Sequence, residues 1–182
     1  MLKKLIYLDN AATTPLSKNV LKKINSTYKN YWNNSSSTYK YGIKCAIFLE
    51  KIRLKIAEKF NAEPEDIIFT SGSSESTSIV FSNLCDKFQT GRIVISKVEH
   101  QATIISANKL KRKGWELYEW PVNEYGMIDL SDKIFYESNT ENNLCIVHYA
   151  GSSIEFDNLP SMSRNKIFED AAQGLGVFHK YC

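Results

Sequence analysis

Apolar positions recur along the chain in two rhythms that alternate. After Pro15, Ser17 fits an N-cap, and Val20, Leu21, Ile24, Tyr28 and Tyr31 follow at helical spacing. A polar run over 33–38, rich in Asn and Ser, breaks the pattern and reads as a surface loop. Helical spacing resumes over 43–60, where Ala46, Leu49, Ile52, Ile56 and Phe60 share one face. Residues 67–69 are continuously apolar and predict a short buried strand. A helix is predicted over 74–88, with Val80, Leu84 and Phe88 four apart. The alternation then repeats: strand over 93–95, helix over 101–113, strand over 115–120, a turn at Asn123-Glu124-Tyr125-Gly126, and strands over 144–149 and 166–169.

Strands that alternate with helices predict an α/β fold, a mostly parallel sheet with flanking helices. No internal repeat, low-complexity tract or linker interrupts it, and 182 residues fit one domain with a real core. Ligands of such sheets bind beyond the carboxyl ends of the strands. Two chemically suggestive segments fall at predicted ends of this kind: Thr70-Ser71-Gly72-Ser73-Ser74-Glu75-Ser76 and Glu169-Asp170-Ala171-Ala172-Gln173-Gly174.

Composition narrows the classes. A chain 43% hydrophobic and 24% charged is ordinary for a soluble globular protein. A net charge of +3 does not argue for nucleic acid, and the densest basic cluster, Lys109-Lys111-Arg112-Lys113, suits the negative pole of a helix. The four cysteines at 45, 85, 145 and 182 make no C-x-x-C pair, so neither zinc nor a disulfide scaffold is expected, and Cys145 reads as a core residue. No apolar run reaches membrane-spanning length, and the short N-terminal lysines lack the apolar stretch of a signal peptide. A reducing cytoplasm is the expected compartment.

The Gly72 segment opens a helix with small residues, whose outward N–H groups suit a phosphate, with Ser73, Ser74 and Ser76 adding hydroxyls. The same residues also fit a plain Ser-rich helix start. Asp170 follows an apolar run, and a carboxylate at a buried strand end needs a partner. A protonated pyridine nitrogen is one such partner; a backbone cap is another. The small residues that follow leave room for a flat ligand. His100, beyond the strand over 93–95, fits either a proton-passing ring stacked on a cofactor or a solvent-facing helix start.

Taken in order, several segments resemble the cysteine desulfurases and related class V aminotransferases. These are Tyr7-Leu8-Asp9-Asn10-Ala11-Ala12-Thr13-Thr14-Pro15, Ile67 to Ser76, Ser96-Lys97-Val98-Glu99-His100-Gln101-Ala102, and Pro121 to Asp129. The resemblance implies the fold-type I architecture and pyridoxal 5′-phosphate. It implies phosphate contacts at Ser73 and Ser74, ring stacking and catalysis at His100, the ring nitrogen at Asp170 and the ring hydroxyl at Gln173. Asn10 and Ala11 would lie near an amino-acid substrate.

The chain departs from the family at named places. Tyr39 stands where the family usually has histidine, and Tyr149-Ala150-Gly151-Ser152 replaces an Asn-Asn-Glu run. The stretch from His148 to Asp170 is short for a desulfurase and resembles the sugar-nucleotide aminotransferases instead. The family's cofactor-anchoring lysine and its sulfur-carrying cysteine lie later than the Asp-Ala-Ala-Gln segment, and Lys180 and Cys182 come too soon after Asp170 to serve. Residues 1–182 are therefore expected to form a single incomplete cofactor-binding large domain without the small C-terminal domain, inactive alone. Such a piece is expected to associate, as a homo-oligomer or with a completing second chain, because open sheet edges and apolar faces pair with other chains. The alternative is a catalytically inactive relative retained as a binding or interaction protein.

Overall fold

A computed structural model describes residues 6–10, 12–128, 142–147 and 167–171. The chain divides into two compact units, Met1–Phe69 and Thr70–Cys182.

In the first unit, helix α1 spans Lys18–Asn30 and starts as expected, with the Ser17 hydroxyl accepting from the Val20 N–H at 3.3 Å. Helix α2 spans Lys40–Phe60, beginning before the expected residue 43. The reason is local packing. Gly42 is buried against the polar loop, where a Cβ would lie 2.3 Å from the Ser37 carbonyl oxygen. Only glycine lets helix and loop approach this closely. The Tyr31 and Phe48 rings stack with centroids 4.0 Å apart. Asn61 ends α2 in the left-handed conformation at φ 49°, which frees the Ala62 N–H to reach the Ala57 carbonyl at 3.0 Å.

The expected strand over 67–69 does not form. After a 3-10 turn at Pro64–Asp66 the chain is extended, but it lies in no ladder among the described residues, and Ile68 is 68% exposed. The Arg53 guanidinium donates to the Ile67 carbonyl and lies 4.9 Å from the Phe69 ring centre. A side chain thus takes a carbonyl that a neighbouring strand would have taken. Three apolar residues supply strand propensity, but a strand exists only where a partner backbone is present.

The second unit carries α3 (Ser73–Lys87), β1 (Arg92–Ser96), α4 (Gln101–Arg112), β2 (Glu116–Trp120), β3 (Asn142–Val147) and β4 (Ile167–Asp170). The strands form one parallel sheet in the order β2-β1-β3-β4. Each β1–β2 pair is in register from Arg92 opposite Glu116 to Ser96 opposite Trp120. An ion pair at 2.7 Å joins Arg92 and Glu116 at the amino end of this ladder.

On one face of β1, Ile93 and Ile95 pack with Phe81 and Leu84 of α3, Ala107 and Leu110 of α4, Trp115, and Cys145 of β3. Alternation along the strand puts Val94 on the other face, where it is also buried. A strand buried on both faces reads as a continuous apolar run, as 93–95 does. Residues 88–91 alone join the end of α3 to the start of β1, so α3 runs back over the sheet and its first turn lies on the carboxyl side. The expected turn is present: Gly126 has φ 77°, and the Asn123 side-chain oxygen accepts from the N–H groups of Tyr125 and Met127 at 2.9 and 3.0 Å.

Candidate functional site

Of the residues that sequence reasoning singled out, Ser73 and Ser74 open α3, His100 stands at the start of α4 and Asp170 ends β4, all in the unit that carries the sheet. At the start of α3, Gly72 is the N-cap and offers no side-chain cap. Its carbonyl accepts from the N–H groups of Glu75 and Ser76, both at 3.1 Å. The N–H groups of Ser73 and Ser74 take no acceptor among the described residues, and both residues are exposed. Nothing lies within 4 Å of the position a Gly72 Cβ would occupy. Open space and unpaired donors at a helix start suit an anion.

The loop around these donors is held by its own side chains. The Thr70 and Ser76 hydroxyls share a hydrogen bond at 2.8 Å, and the Glu75 carboxylate accepts the Ser71 N–H at 2.6 Å. Ser71, through its side chain first and then through that N–H, holds the Glu75 carboxyl below the usual carboxylate range. Ser76, expected as a third hydroxyl donor, is committed to Thr70 and the Gly72 carbonyl, leaving Ser73 and Ser74 as the available pair.

Between β1 and α4 the chain makes a sharp exit. The Lys97 N–H still pairs with the Trp120 carbonyl at 3.1 Å, and the Val98 N–H then turns back to the Ser96 hydroxyl at 3.3 Å. Beyond that turn, Glu99 points inward and His100 outward. His100 caps α4: its Nδ1 accepts from the Ala102 N–H at 3.1 Å. His100 thus stands at the start of α4 as its N-cap. That bond fixes the ring and commits Nδ1 as an acceptor, so in the neutral ring Nε2 carries the proton. The ring remains exposed for a further contact.

Asp170 ends β4 opposite Val147 at the end of β3 and is half-buried. It thus shares the carboxyl edge with the segment leaving β1. Asn10 is an exposed residue of the first unit. Ala11, Gln173, His148, Lys180 and Cys182 lie outside the described residues.

Glu99 was not a candidate from sequence. It is 7% exposed, and neither carboxylate oxygen has a hydrogen-bond partner among the described residues. Burial pushes its carboxyl up to about 7, Asp170 adds to the rise, and nearby Ser96 and Thr103 oppose it. The signal available was its position: an acid set immediately beyond a doubly buried strand, where the chain must turn inward or outward. Cys145, under the same edge, is buried, and burial together with the charges of Glu99 and Asp170 pushes its thiol far up. It is a packing residue and no nucleophile.

A cavity of about 300 Å³ between α3 and α4 is floored by Phe81 and Leu110 and rimmed by Lys109, Arg112 and Lys113. It lies on the helix flank, away from the carboxyl edge. Among the described residues, no cluster of His, Cys, Asp and Glu could hold a metal ion, and no helix is long and apolar enough to cross a membrane.

Comparison with known proteins gives this geometry its setting. The model of the family described as aminotransferase class-V matches residues 6–158. Cysteine desulfurase IscS of Dictyoglomus turgidum is 35% identical over 133 residues, covering 72% of this chain and 34% of that protein. The mitochondrial cysteine desulfurase of Saccharomyces cerevisiae is 30% identical over 186 residues, covering 96% of this chain and 37% of its own. The apo structure of cysteine desulfurase from Thermococcus onnurineus NA1 superposes with a TM-score of 0.68 at 28% identity, over 79% of this chain and 36% of that one. The chain spans about a third of the length of the curated relatives it matches.

Proposed function

Since the chain belongs to the aminotransferase class-V family, we propose that it is the cofactor-binding part of a pyridoxal 5′-phosphate enzyme acting on an amino acid. Cysteine is the first candidate substrate, because the relatives it matches are cysteine desulfurases. The observation that supports this reading is that Ser73 and Ser74 open α3, His100 caps α4 and Asp170 ends β4, three elements of the unit built on the parallel sheet.

The residues present fit the cofactor. Ser73 and Ser74, with unpaired N–H groups and open space beside Gly72, would hold the phosphate. Asp170 would hold the ring nitrogen, and its negative charge would keep a proton there. His100, fixed by its cap, would lie against the ring with only Nε2 able to give or take a proton. Gln173 is assigned the ring hydroxyl, and Asn10 with Ala11 the substrate, on family resemblance. Bound pyridoxal phosphate supplies an electron sink for the bonds at the α-carbon of an amino acid. These contacts need no covalent link, so residues 1–182 are proposed to bind the cofactor reversibly through them.

A second chain, either another copy or a completing polypeptide, is part of this reading. Apolar Val20, Leu21 and Ile24 of α1 are all exposed, which supports a covering partner. The unpaired thiols of Cys45, Cys85 and Cys145 fit a reducing cytoplasm.

Equilibrium binding of pyridoxal phosphate to the purified chain tests the proposal. Binding should be reversible, be competed by 4′-deoxypyridoxine 5′-phosphate, and weaken about tenfold or more in Asp170→Asn, as expected for loss of a charged hydrogen bond of about 1.5–3 kcal/mol. Binding no tighter than that of inorganic phosphate, or indifferent to Asp170→Asn, refutes it.

A further inference from the structure

Helices α3 and α4 share the core through Phe81, Leu84, Ala107 and Leu110, yet a cavity of about 300 Å³ stays open between them. Its cause lies in the two stripes that line it. From α3 come Ser78, Phe81, Ser82 and Cys85, at the i, i+3, i+4, i+7 spacing that ordinarily carries the apolar contact stripe of a helix. Of these four only Phe81 is bulky. From α4 come Ser106, Lys109, Leu110 and Lys113 at the same spacing, with Arg112 beside them. Serines are too small to fill the space between two helices, and the three cationic residues are exposed to water. A hollow is left where two ordinary stripes would interdigitate.

The walls of this hollow are chemically one-sided. Phe81 and Leu110 are buried and give it an apolar floor. Ser106 is 6% exposed and lines it, and the hydroxyls of Ser78, Ser82 and Ser106 make no hydrogen bond among the described residues. Nor does Lys109, Arg112 or Lys113 form an ion pair among them. Helix α4 contains no acid, and Asp86, next to Cys85 in α3, does not line the cavity. Cations near the last carbonyls of a helix complement its dipole, which accounts for their place at the end of α4. A filled interface would serve the dipole equally well, so the dipole does not account for the space beneath them.

We infer that this cavity is a binding site for a small carboxylic acid with an apolar body, an aromatic ring or a short aliphatic chain. The body would lie on Phe81 and Leu110, and the carboxylate would take the cationic rim. Arg112 favours a carboxylate in particular, because its planar fork matches the two oxygens. The serine hydroxyls suit any polar substituent along the body. The volume is at the low end of small-molecule sites, about 300–1,000 Å³, so the ligand is of fragment size. This site uses none of the residues assigned to the cofactor and stands apart from the function proposed above.

The probe is 3-phenylpropionate, with 3-phenylpropionamide as its uncharged analogue, added to the ¹⁵N-labelled full chain. Amide shifts should saturate, with Kd of about 1 mM or tighter, and be largest at the residues of α3 and α4 that line the cavity. The amide should bind about tenfold more weakly, and Arg112→Gln should weaken the acid by a similar factor, as for loss of a charged hydrogen bond. Excess pyridoxal 5′-phosphate should leave the acid's affinity unchanged. No saturation, equal binding of acid and amide, or indifference to Arg112→Gln overturns the proposal. Competition by pyridoxal phosphate, or shifts centred on Ser73, Ser74 and His100, also overturns it, because the acid would then occupy the proposed cofactor site.

A second arm reads the cavity itself. Ser82→Leu puts a larger side chain into the space from an exposed position and should abolish binding of the acid. The half-buried thiol of Cys85 lines the same space, so saturating 3-phenylpropionate should slow its alkylation by iodoacetamide about fivefold or more, the occupied fraction setting the rate. Undiminished binding by Ser82→Leu, or a Cys85 rate that the acid leaves unchanged, places the acid elsewhere and overturns the site. If Ser82→Leu does not fold, the Cys85 rate in the native chain decides alone.

Discussion

Replacing Glu99 by glutamine should make the protein more stable at neutral pH, and the gain should vanish in acid. The folded state holds this carboxyl at about 7, against an ordinary value of 4.5. A raised acid pKa means that the unfolded chain ionises first. Below about pH 4.5 the group is protonated in both states and costs nothing. Between there and pH 7 the unfolded state gains a charge that the folded state refuses, so stability falls as pH rises. Above pH 7 both states are ionised and the loss is constant. At about 1.4 kcal/mol per pH unit the full loss is on the order of 3 kcal/mol, and Glu99 is buried deeply enough for little of it to be screened by solvent. Glutamine keeps the shape and cannot ionise. Urea unfolding of both proteins at closely spaced pH values from 4 to 8 isolates the term, because all other titrating groups cancel in the difference. The two curves should coincide near pH 4 and separate steadily to pH 7, with the variant more stable. A difference independent of pH, or a variant less stable at pH 8 than the native chain, refutes the reasoning.

Two further substitutions test the packing of each unit. Gly42→Ala sits within a helix, where alanine is ordinarily favoured by about 1 kcal/mol. Here its Cβ would meet the Ser37 carbonyl oxygen at 2.3 Å and the Asn34 carbonyl oxygen at 2.9 Å, so the sign should reverse to a loss of about 1–3 kcal/mol in denaturant unfolding; a stabilised variant would disprove that close approach. Trp120→Ala removes the largest fully buried side chain at the carboxyl end of β2 and should cost about 3–5 kcal/mol in the same assay, whereas a loss under about 1 kcal/mol would place that ring outside the core.

What the sequence disclosed followed the range of the interaction responsible. Helix α1 was legible to its first residue because Ser17 and the apolar spacing are local signals. The 93–95 run was legible because a strand buried on both faces shows no alternation to confuse it. The 67–69 run carries the same kind of signal and fails, because what decides between strand and extended coil is a partner backbone that the sequence does not announce. Arg53, fourteen residues earlier, takes the Ile67 carbonyl instead. The class V aminotransferase motifs pointed to the carboxyl edge, since they bundle several residues in fixed order. They did not single out Glu99 within Val98-Glu99-His100, because its burial depends on the turn made by Ser96 and on strands β3 and β4, both remote in sequence.

His100 shows why a capping role and a chemical role need not compete. A histidine free to rotate offers either nitrogen, and its ring plane is undefined. Once Nδ1 accepts the Ala102 N–H, the ring plane is set by the helix, and one nitrogen is withdrawn from proton exchange. What remains is a face and Nε2, both exposed. A flat aromatic partner needs a ring of fixed plane, and a directed proton transfer needs one defined nitrogen. The cap supplies both at no cost in reach. It follows that Ala102→Pro, which removes the donated N–H within the first turn of α4 where proline is otherwise tolerated, would free the ring while leaving its identity intact. The helix start thus works as the holder of the imidazole, and a site at this edge depends on backbone geometry as much as on the residues it displays.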